Sequence, residues 1–588
     1  MTEKKQSEKV FEFSEGEKVT PEKNSKSAQS QLQEQLQKIA DDSDILDDTK
    51  HVVHEPSGLT VNEVESALWD SEIGLARLFT KMFKNKLCFN TSAGRWFVYE
   101  ESCWCLDQRK KHIDACRELH SLVIHVKDKY LPVYKKKAEK FIMQVINSMT
   151  TINKMSSVLS QSASGEEGLG VIGEAFDSVL LKIGAPNGIV DLETGELLPD
   201  DPGLYMTKQT GCKYDPDAPI PQHFIQFLKE TFKYPLERGK LDMSDEEFEK
   251  VCIEQCEKLI DYIQSLFGYA LLGTCREHLF VCCWGIGRNG KGVLLRTIIR
   301  AMGDYAGEIQ PSILLDSKNT SSNSPTPAIG DLKGMRLAVA SETNQGQFFD
   351  TSSVKRLTGG DTLVFRAPYG KDFVRFKPSH TLILQTNFRP NAPAEDTGFW
   401  DRTQVIPFLR RFVEEPEPGN IYQAKIDRDL EKTLNGELPG ILRWLVEGNR
   451  KYRENGLNPP KCIRDAVDQY RSSGDFIADF IDECCNTGLE HRVRTIVFTE
   501  ALNEWRKVQG YKRPISGPVI TERLENKGYI KGKSSFMCYK GLDLNMDGLE
   551  YLKDDHKGKA INVAPSSYEV AVKTFCHNEN NHDDDNFA

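Results

Sequence analysis

The sequence predicts an α/β protein: a parallel sheet with crossover helices at its centre, an α+β region before it and a winged-helix-like module after it. Three observations carry this. Strand and helix patterns alternate from about residue 250 to about residue 412, the signature of parallel strands joined by helices. Within that stretch, LFVCCWGIGRNGKGVLLRTII runs from an apolar strand through a glycine-rich loop into a helix. After Pro459-Pro460 the pattern turns to successive helices and then a small basic hairpin, KGKSSFMCYKGLDL.

The elements follow in order. Residues 1–61 are rich in Lys, Glu, Ser and Gln and poor in aromatics, so they are expected to be disordered. Order is expected from near residue 62, in an α+β domain over 62–240. VNEVESALWDSEIGLARLFTKMF has helical apolar spacing, and GRWFVYEESCWCLD alternates like a hairpin. IVDLETGELL turns at Glu193-Thr194-Gly195. The central domain is assigned to 241–456 and opens on an amphipathic helix over 250–272. The winged-helix-like domain is assigned to 457–560, and 561–588 is an acidic tail.

Composition excludes some classes. A hydrophobic share of 39% is enough for packed cores. A net charge of −11 argues against a protein that coats duplex DNA by bulk charge, but allows a basic channel inside an assembly. The 15 cysteines include the adjacent pairs Cys282-Cys283 and Cys484-Cys485, which a disulfide framework rarely uses. The polar start at Met1 predicts no signal peptide, and no apolar stretch reaches spanning length. A cytoplasmic location is therefore expected, with no membrane partner.

The glycine loop carries chemistry. Gly285, Ile286, Gly287, Arg288, Asn289, Gly290 and Lys291 match G-x-x-x-x-G-K. The glycines let backbone N–H groups turn onto phosphates, the following helix points its positive end at them, and Lys291 reaches them as a point charge. Gly292 stands where Ser or Thr normally offers Mg²⁺ a hydroxyl, so a metal must lean on a carboxylate and water. GMRLAVASE ends a second strand in Glu342, a candidate metal holder and polariser of water. Taken alone, such an acid is more often a solvated strand end. A third strand, Thr381 to Gln385, leads to Asn387, whose amide suits a phosphate or the attacking water; capping a turn before Pro390 is its ordinary role.

Between these strands VKRLTGGDTLVFRAPYGKDFVRFKPSH reads as a hairpin with a basic, aromatic tip. Arg366, Lys371 and Arg375 suit a phosphate backbone, and Tyr369 or Phe373 suits base stacking; a solvated hairpin is the plain alternative. Arg402 precedes the strand VIPF and is either a surface ion-pair partner or an arginine reaching a neighbouring subunit's nucleotide. Cys103, Cys105, His112 and Cys116 can be drawn as a zinc set, but strand packing explains the cysteines better.

In combination, GIGRNGKG, RLAVASE, KRLTGGDTLVFRAPYGK, LILQTNFRP and FWDRTQVIPF resemble the superfamily 3 helicases of the poxvirus and phage/plasmid primase-helicase type. ELPGILRWLVEG resembles that family's helical segment after the motor, and the likeness covers roughly residues 65–550. It implies a P-loop, AAA+-like ATPase core. Lys291 becomes the Walker A lysine, Glu342 the Walker B acid, Asn387 the sensor, Arg402 the arginine finger and Lys371 the tip of a DNA-channel hairpin. It further implies a homo-hexameric ring, ATP and Mg²⁺, and single-stranded and forked DNA as partners. Gly292 departs from the pattern. The region before the motor is too short for the primase domain many relatives carry and shows no strand-borne pair of acids for two-metal polymerisation, so a separate primase or polymerase is expected. The function implied is an ATP-dependent DNA helicase of replication. An origin-binding initiator and a hydrolysis-weak scaffold ATPase are the alternatives.

Overall fold

The computed structural model describes residues 51–238, 243–316, 327–341, 347–366, 373–473, 476–509, 514–533 and 536–553. They form two compact units. The first holds the residues up to Trp96 and Asp107–Val171; the second holds Phe97–Leu106 and everything from Ile172.

The first unit is mainly helical: Val61–Trp69, Ser71–Phe83, Lys111–Lys129, Lys136–Ser148 and Ile152–Ser162. Leu68, Leu75, Phe79, Val123, Val126 and Ile142 are fully buried. Regular structure starts earlier than the expected residue 62. Val52–His54 pairs with Leu59–Thr60, and Thr60 then caps the first helix. Thr60 Oγ1 accepts from the Glu63 amide while Glu63 Oε2 accepts from the Thr60 amide at 2.9 Å, a reciprocal pair that sets where the helix begins. The polar composition around residues 51–60 hid this short ladder.

In the second unit the alternating segment forms its hairpin, Phe97 pairing Leu106 and Glu100 pairing Cys103. The turn at Glu193-Thr194-Gly195 also forms: Asp191 Oδ1 accepts from the amides of Glu193 and Thr194, and Gly195 takes φ +79°. The long helix runs Asp245–Leu271, starting five residues before the expected 250, because Ser244 and Glu247 make a second capping box.

The centre is a five-stranded sheet in which every neighbouring pair is parallel. Its spatial order is Ala306–Ile309, Leu337–Ser341, Thr381–Thr386, Phe280–Trp284, Thr403–Pro407. The pleat sends alternate side chains to opposite layers. Val281, Cys283, Ile383 and Ile406 join a core with Leu294 and Ile298 of the Lys291–Met302 helix. Phe280, Cys282, Leu382, Leu384 and Val405 join another core with Phe399, Trp400 and Tyr470. Cys282 and Cys283 therefore face apart, both buried and free.

The boundary expected at 240 falls inside this unit. Ile183, Val190, Phe224 and Phe227 share the core of the Lys291–Met302 helix. Arg336, 5% exposed, donates to the carbonyls of Val179, Leu180, Lys182 and Leu271. Four carbonyl acceptors let a buried guanidinium persist and tie the 179–182 segment to the sheet.

The C-terminal module packs helices Phe476–Cys484, Thr495–Val508 and Gly517–Asn526 on an antiparallel sheet. Met537–Leu544 lies between Cys485–Arg494 and Ile530–Lys533. Cys485–Arg494 was not expected as a strand, because CNTGLEHRVR is polar and lacks clear alternation. Among the described residues no helix is long and apolar enough to cross a membrane.

Candidate nucleotide site

At the C-terminal edge of the parallel sheet, Phe280–Trp284 ends, and the helix Lys291–Met302 begins seven residues later. The loop between them turns through positive φ at Gly287 (+98°), Arg288 (+52°) and Gly290 (+85°). Gly285 is required by close approach: a Cβ there would lie 2.3 Å from the Phe408 carbonyl oxygen and 2.1 Å from Asn289 Nδ2. Behind the loop stand Phe227 and Thr231, within 3.1–3.3 Å of where a Gly290 Cβ would sit.

Lys291 is 3% exposed. Its ammonium donates to the Gly285 carbonyl at 2.6 Å, to Asn289 Oδ1 at 3.0 Å and to Asn387 Oδ1 at 3.0 Å. Three neutral oxygens take its three protons. Burial pushes its pKa down to about 8. A buried cation paired only with neutral oxygens sits in a setting that an anion would stabilise.

The structure thus brings Lys291 and Asn387 together, although 96 positions separate them. Register is the cause: Thr386 pairs with Trp284, so the residue after one strand meets the loop after the other. Ser341 pairs with Gln385, which ends the Leu337–Ser341 strand at the same edge. Glu342, the next residue, lies outside the described residues. Beside the helix a polar cleft of about 670 Å³ is lined by Arg296, Glu308, Gln310, Asp331, Ser341 and Gln385, among others.

Arg402 lies at the other end of the sheet. Its carbonyl accepts from the Phe280 amide at 2.8 Å, at the start of the strand whose far end carries the loop. Four strand steps, about 13 Å, separate that row from Trp284. Within one chain Arg402 and Lys291 are therefore not neighbours. Arg402 Nη1 donates to the Gly398 carbonyl at 2.6 Å.

The hairpin forms, Leu363–Arg366 pairing antiparallel with Phe373–Phe376. Its tip, with Tyr369 and Lys371, lies outside the described residues, as does the side chain of Arg366; Arg375 is exposed. For the zinc set, no group of three or more His, Cys, Asp or Glu suited to a metal occurs among the described residues. His112 instead engages Asp107, Nδ1 to Oδ2 at 2.5 Å.

One loop residue named from the sequence gains partners that the motif does not show, and one further contributor, Arg389, was not named from the sequence. Asn289, a variable position of the motif, is 3% exposed and bridges Lys291 to the Phe408 carbonyl through Nδ2 at 3.0 Å. The guanidinium of Arg389 lies 3.7 Å from the ring centroid of Trp284, at the root of the loop. Only the location of Arg389 in LILQTNFRP, beside Asn387, hinted at this. Arg410 is buried and bonded to Glu230, which gives it a partner within its own chain.

A family profile described as "D5 N terminal like" matches residues 76–233. The chain is 30% identical over 314 residues to the "Putative helicase L207/L206" of Acanthamoeba polyphaga mimivirus, covering 51% of this chain and 30% of that protein. It is 24% identical over 338 residues to the "Putative helicase 184R" of Invertebrate iridescent virus 6, covering 54% of this chain and 33% of that one. The chain spans about a third of the length of these relatives. Among solved structures, the apo NrS-1 C-terminal region aligns at a TM-score of 0.40 and 12% identity over 81% of this chain and 99% of that one, too slight a likeness to argue from.

Proposed function

We propose that this chain, a member of the D5-like primase-helicase family, is the ATP-driven motor of a DNA helicase acting in replication. The observation that carries the reading is the buried Lys291 ammonium, shared between the loop and Asn387 at one edge of a parallel sheet. The strand order supports a P-loop core of the AAA+-like, superfamily 3 type, since the Thr381–Thr386 strand lies between the loop strand and Leu337–Ser341. In this reading the backbone of Gly285–Gly292 cradles the phosphates, Lys291 exchanges its neutral acceptors for phosphate oxygens, and Asn387 is released to orient the attacking water. Glu342 polarises that water. A polar cleft runs along the same helix, lined by Arg296 and by Ser341 and Gln385 at the sheet edge. Glu342 would hold Mg²⁺, which when bound neutralises charge on the β- and γ-phosphates; Gly292 adds no hydroxyl.

Arg402 serves a neighbouring subunit in a homo-hexameric ring, and Arg366, Tyr369 and Lys371 follow single-stranded DNA through it. The C-terminal module is a winged helix, with a separate primase or polymerase working alongside. Charge weakens the origin-reading alternative: the exposed face of the Gly517–Asn526 helix carries Glu522 and Glu525, which repel duplex phosphates. Gly292 is what favours a hydrolysis-weak scaffold, and turnover separates the two readings.

The test is unwinding of a forked duplex that carries no origin sequence, with ATP turnover read in the same sample. Wild type should do both, Lys291→Ala neither, and Glu342→Gln should bind nucleotide without hydrolysing it. Turnover surviving in Lys291→Ala would remove the loop from the chemistry.

A further inference from the structure

The loop departs from its pattern at Gly292, and the structure shows what fills the space. A Cβ at Gly292 would lie 2.7 Å from Arg296 Nη1 and 3.5 Å from its Cζ. Long helical side chains lean back toward the N-terminus, so Arg296, one turn on, lays its guanidinium over the first turn of the Lys291–Met302 helix. A serine or threonine hydroxyl at 292 and this guanidinium would compete for one volume. Arg296 also lines the polar cleft that Ser341 and Gln385 border. It is bonded to Glu431, which Arg300 shares at 3.3 Å. Both partners of the Arg296–Glu431 pair are partly exposed, 47% and 35%, so exchange of one anion for another is cheap.

We infer that Arg296 is a nucleotide-binding residue that takes over part of the metal's role: it leaves Glu431 and hydrogen-bonds phosphate oxygens from the place a motif hydroxyl would occupy. A guanidinium presents a rigid fork of donors matched to phosphate and stays charged at any working pH. Gly292 is then a requirement rather than a defect, because any side chain there displaces the guanidinium. The inference rests on the nucleotide reading of the loop. Its consequence is that this site grips triphosphate with less dependence on Mg²⁺ than a loop bearing Ser or Thr.

The experiment is equilibrium binding of a fluorescent, non-hydrolysable ATP analogue, with Mg²⁺ and with EDTA. Wild type should lose only a few-fold in affinity when the metal is removed. Arg296→Ala should lose about tenfold more than wild type in EDTA, the size of one charge-assisted hydrogen bond, and clearly less with Mg²⁺ present. Arg296→Lys should fall between them. Gly292→Ser should become as metal-dependent as Arg296→Ala. Equal affinity of Arg296→Ala and wild type in EDTA overturns the inference, as does wild-type binding that vanishes without Mg²⁺. Lys291→Ala separates the two levels. If it abolishes binding in both buffers while Arg296→Ala changes nothing, the loop reading stands and only Arg296 is misassigned. If Lys291→Ala binds like wild type, the loop reading itself fails.

Discussion

The two ends of the parallel sheet treat their cations, Lys291 and Arg402, differently in one respect that matters. At the C-terminal edge, Lys291 collects Gly285, Asn289 and Asn387 from separate stretches of chain, and its three protons are all taken. At the opposite edge, Arg402 has Gly398 as its acceptor, while its Nε is buried with no hydrogen-bond partner among the described residues. One end is complete within a single chain. At the other, one donor, Arg402 Nε, has no acceptor among the described residues, a state it shares with the Nε of Arg389 and Arg410.

The strongest way to break this comparison is at Arg402. If it serves a neighbouring subunit, Arg402→Ala should slow hydrolysis by about 10³ or more while leaving nucleotide affinity nearly unchanged. Mixing it with Lys291→Ala subunits should restore some turnover, because a few interfaces then pair an intact Lys291 with a neighbour's intact Arg402. No recovery in confirmed mixed assemblies would return Arg402 to a local role. Arg411, exposed and next in sequence to the buried Arg410, would then be tested before Arg410, which Glu230 already engages.

At the complete end, Lys291→Ala should cost about a hundredfold or more in turnover. Its melting temperature should stay level or rise, because the substitution removes a desolvated ammonium. A large fall in thermal stability would mean that Lys291 holds the loop together rather than waiting for a ligand.

Gly285→Ala sharpens the same contrast through packing. Its Cβ would press on the Phe408 carbonyl and Asn289, so about 1–3 kcal/mol of stability should be lost, read by denaturant unfolding. The same change at Gly436, where a Cβ would meet nothing within 4 Å, should be nearly neutral by comparison.

The smallest expected effect is on pH. Only the ammonium form of Lys291 attracts phosphate, and in the empty site burial brings its pKa to about 8. Below that value the group is already protonated and affinity should be flat. Above it, binding must first restore the proton, so affinity should fall by up to about tenfold per pH unit. Lys291→Met should bind weakly with no such slope. A flat wild-type profile from pH 7 to 9.5 would show that the ammonium is not engaged.

Much of this was legible in the sequence. The strand, glycine loop and helix around Lys291, the hairpin at 363–376 and the turn at Glu193-Thr194-Gly195 are local events, governed by side-chain period and by turn chemistry within a few residues. Tertiary structure alone decided the rest. It set Asn387 on Lys291 and moved Arg402 to the far edge, because strand register fixes which ends meet. It drew residues 172–238 into the core beneath the loop, and paired the polar strand Cys485–Arg494 with Met537–Leu544. It also put the Arg296 guanidinium in the space that Gly292 leaves open. Periodicity reports how one segment presents its own faces; which distant segment covers a face, or lends it a charge, depends on hydrogen-bonded register and close packing that no local pattern encodes.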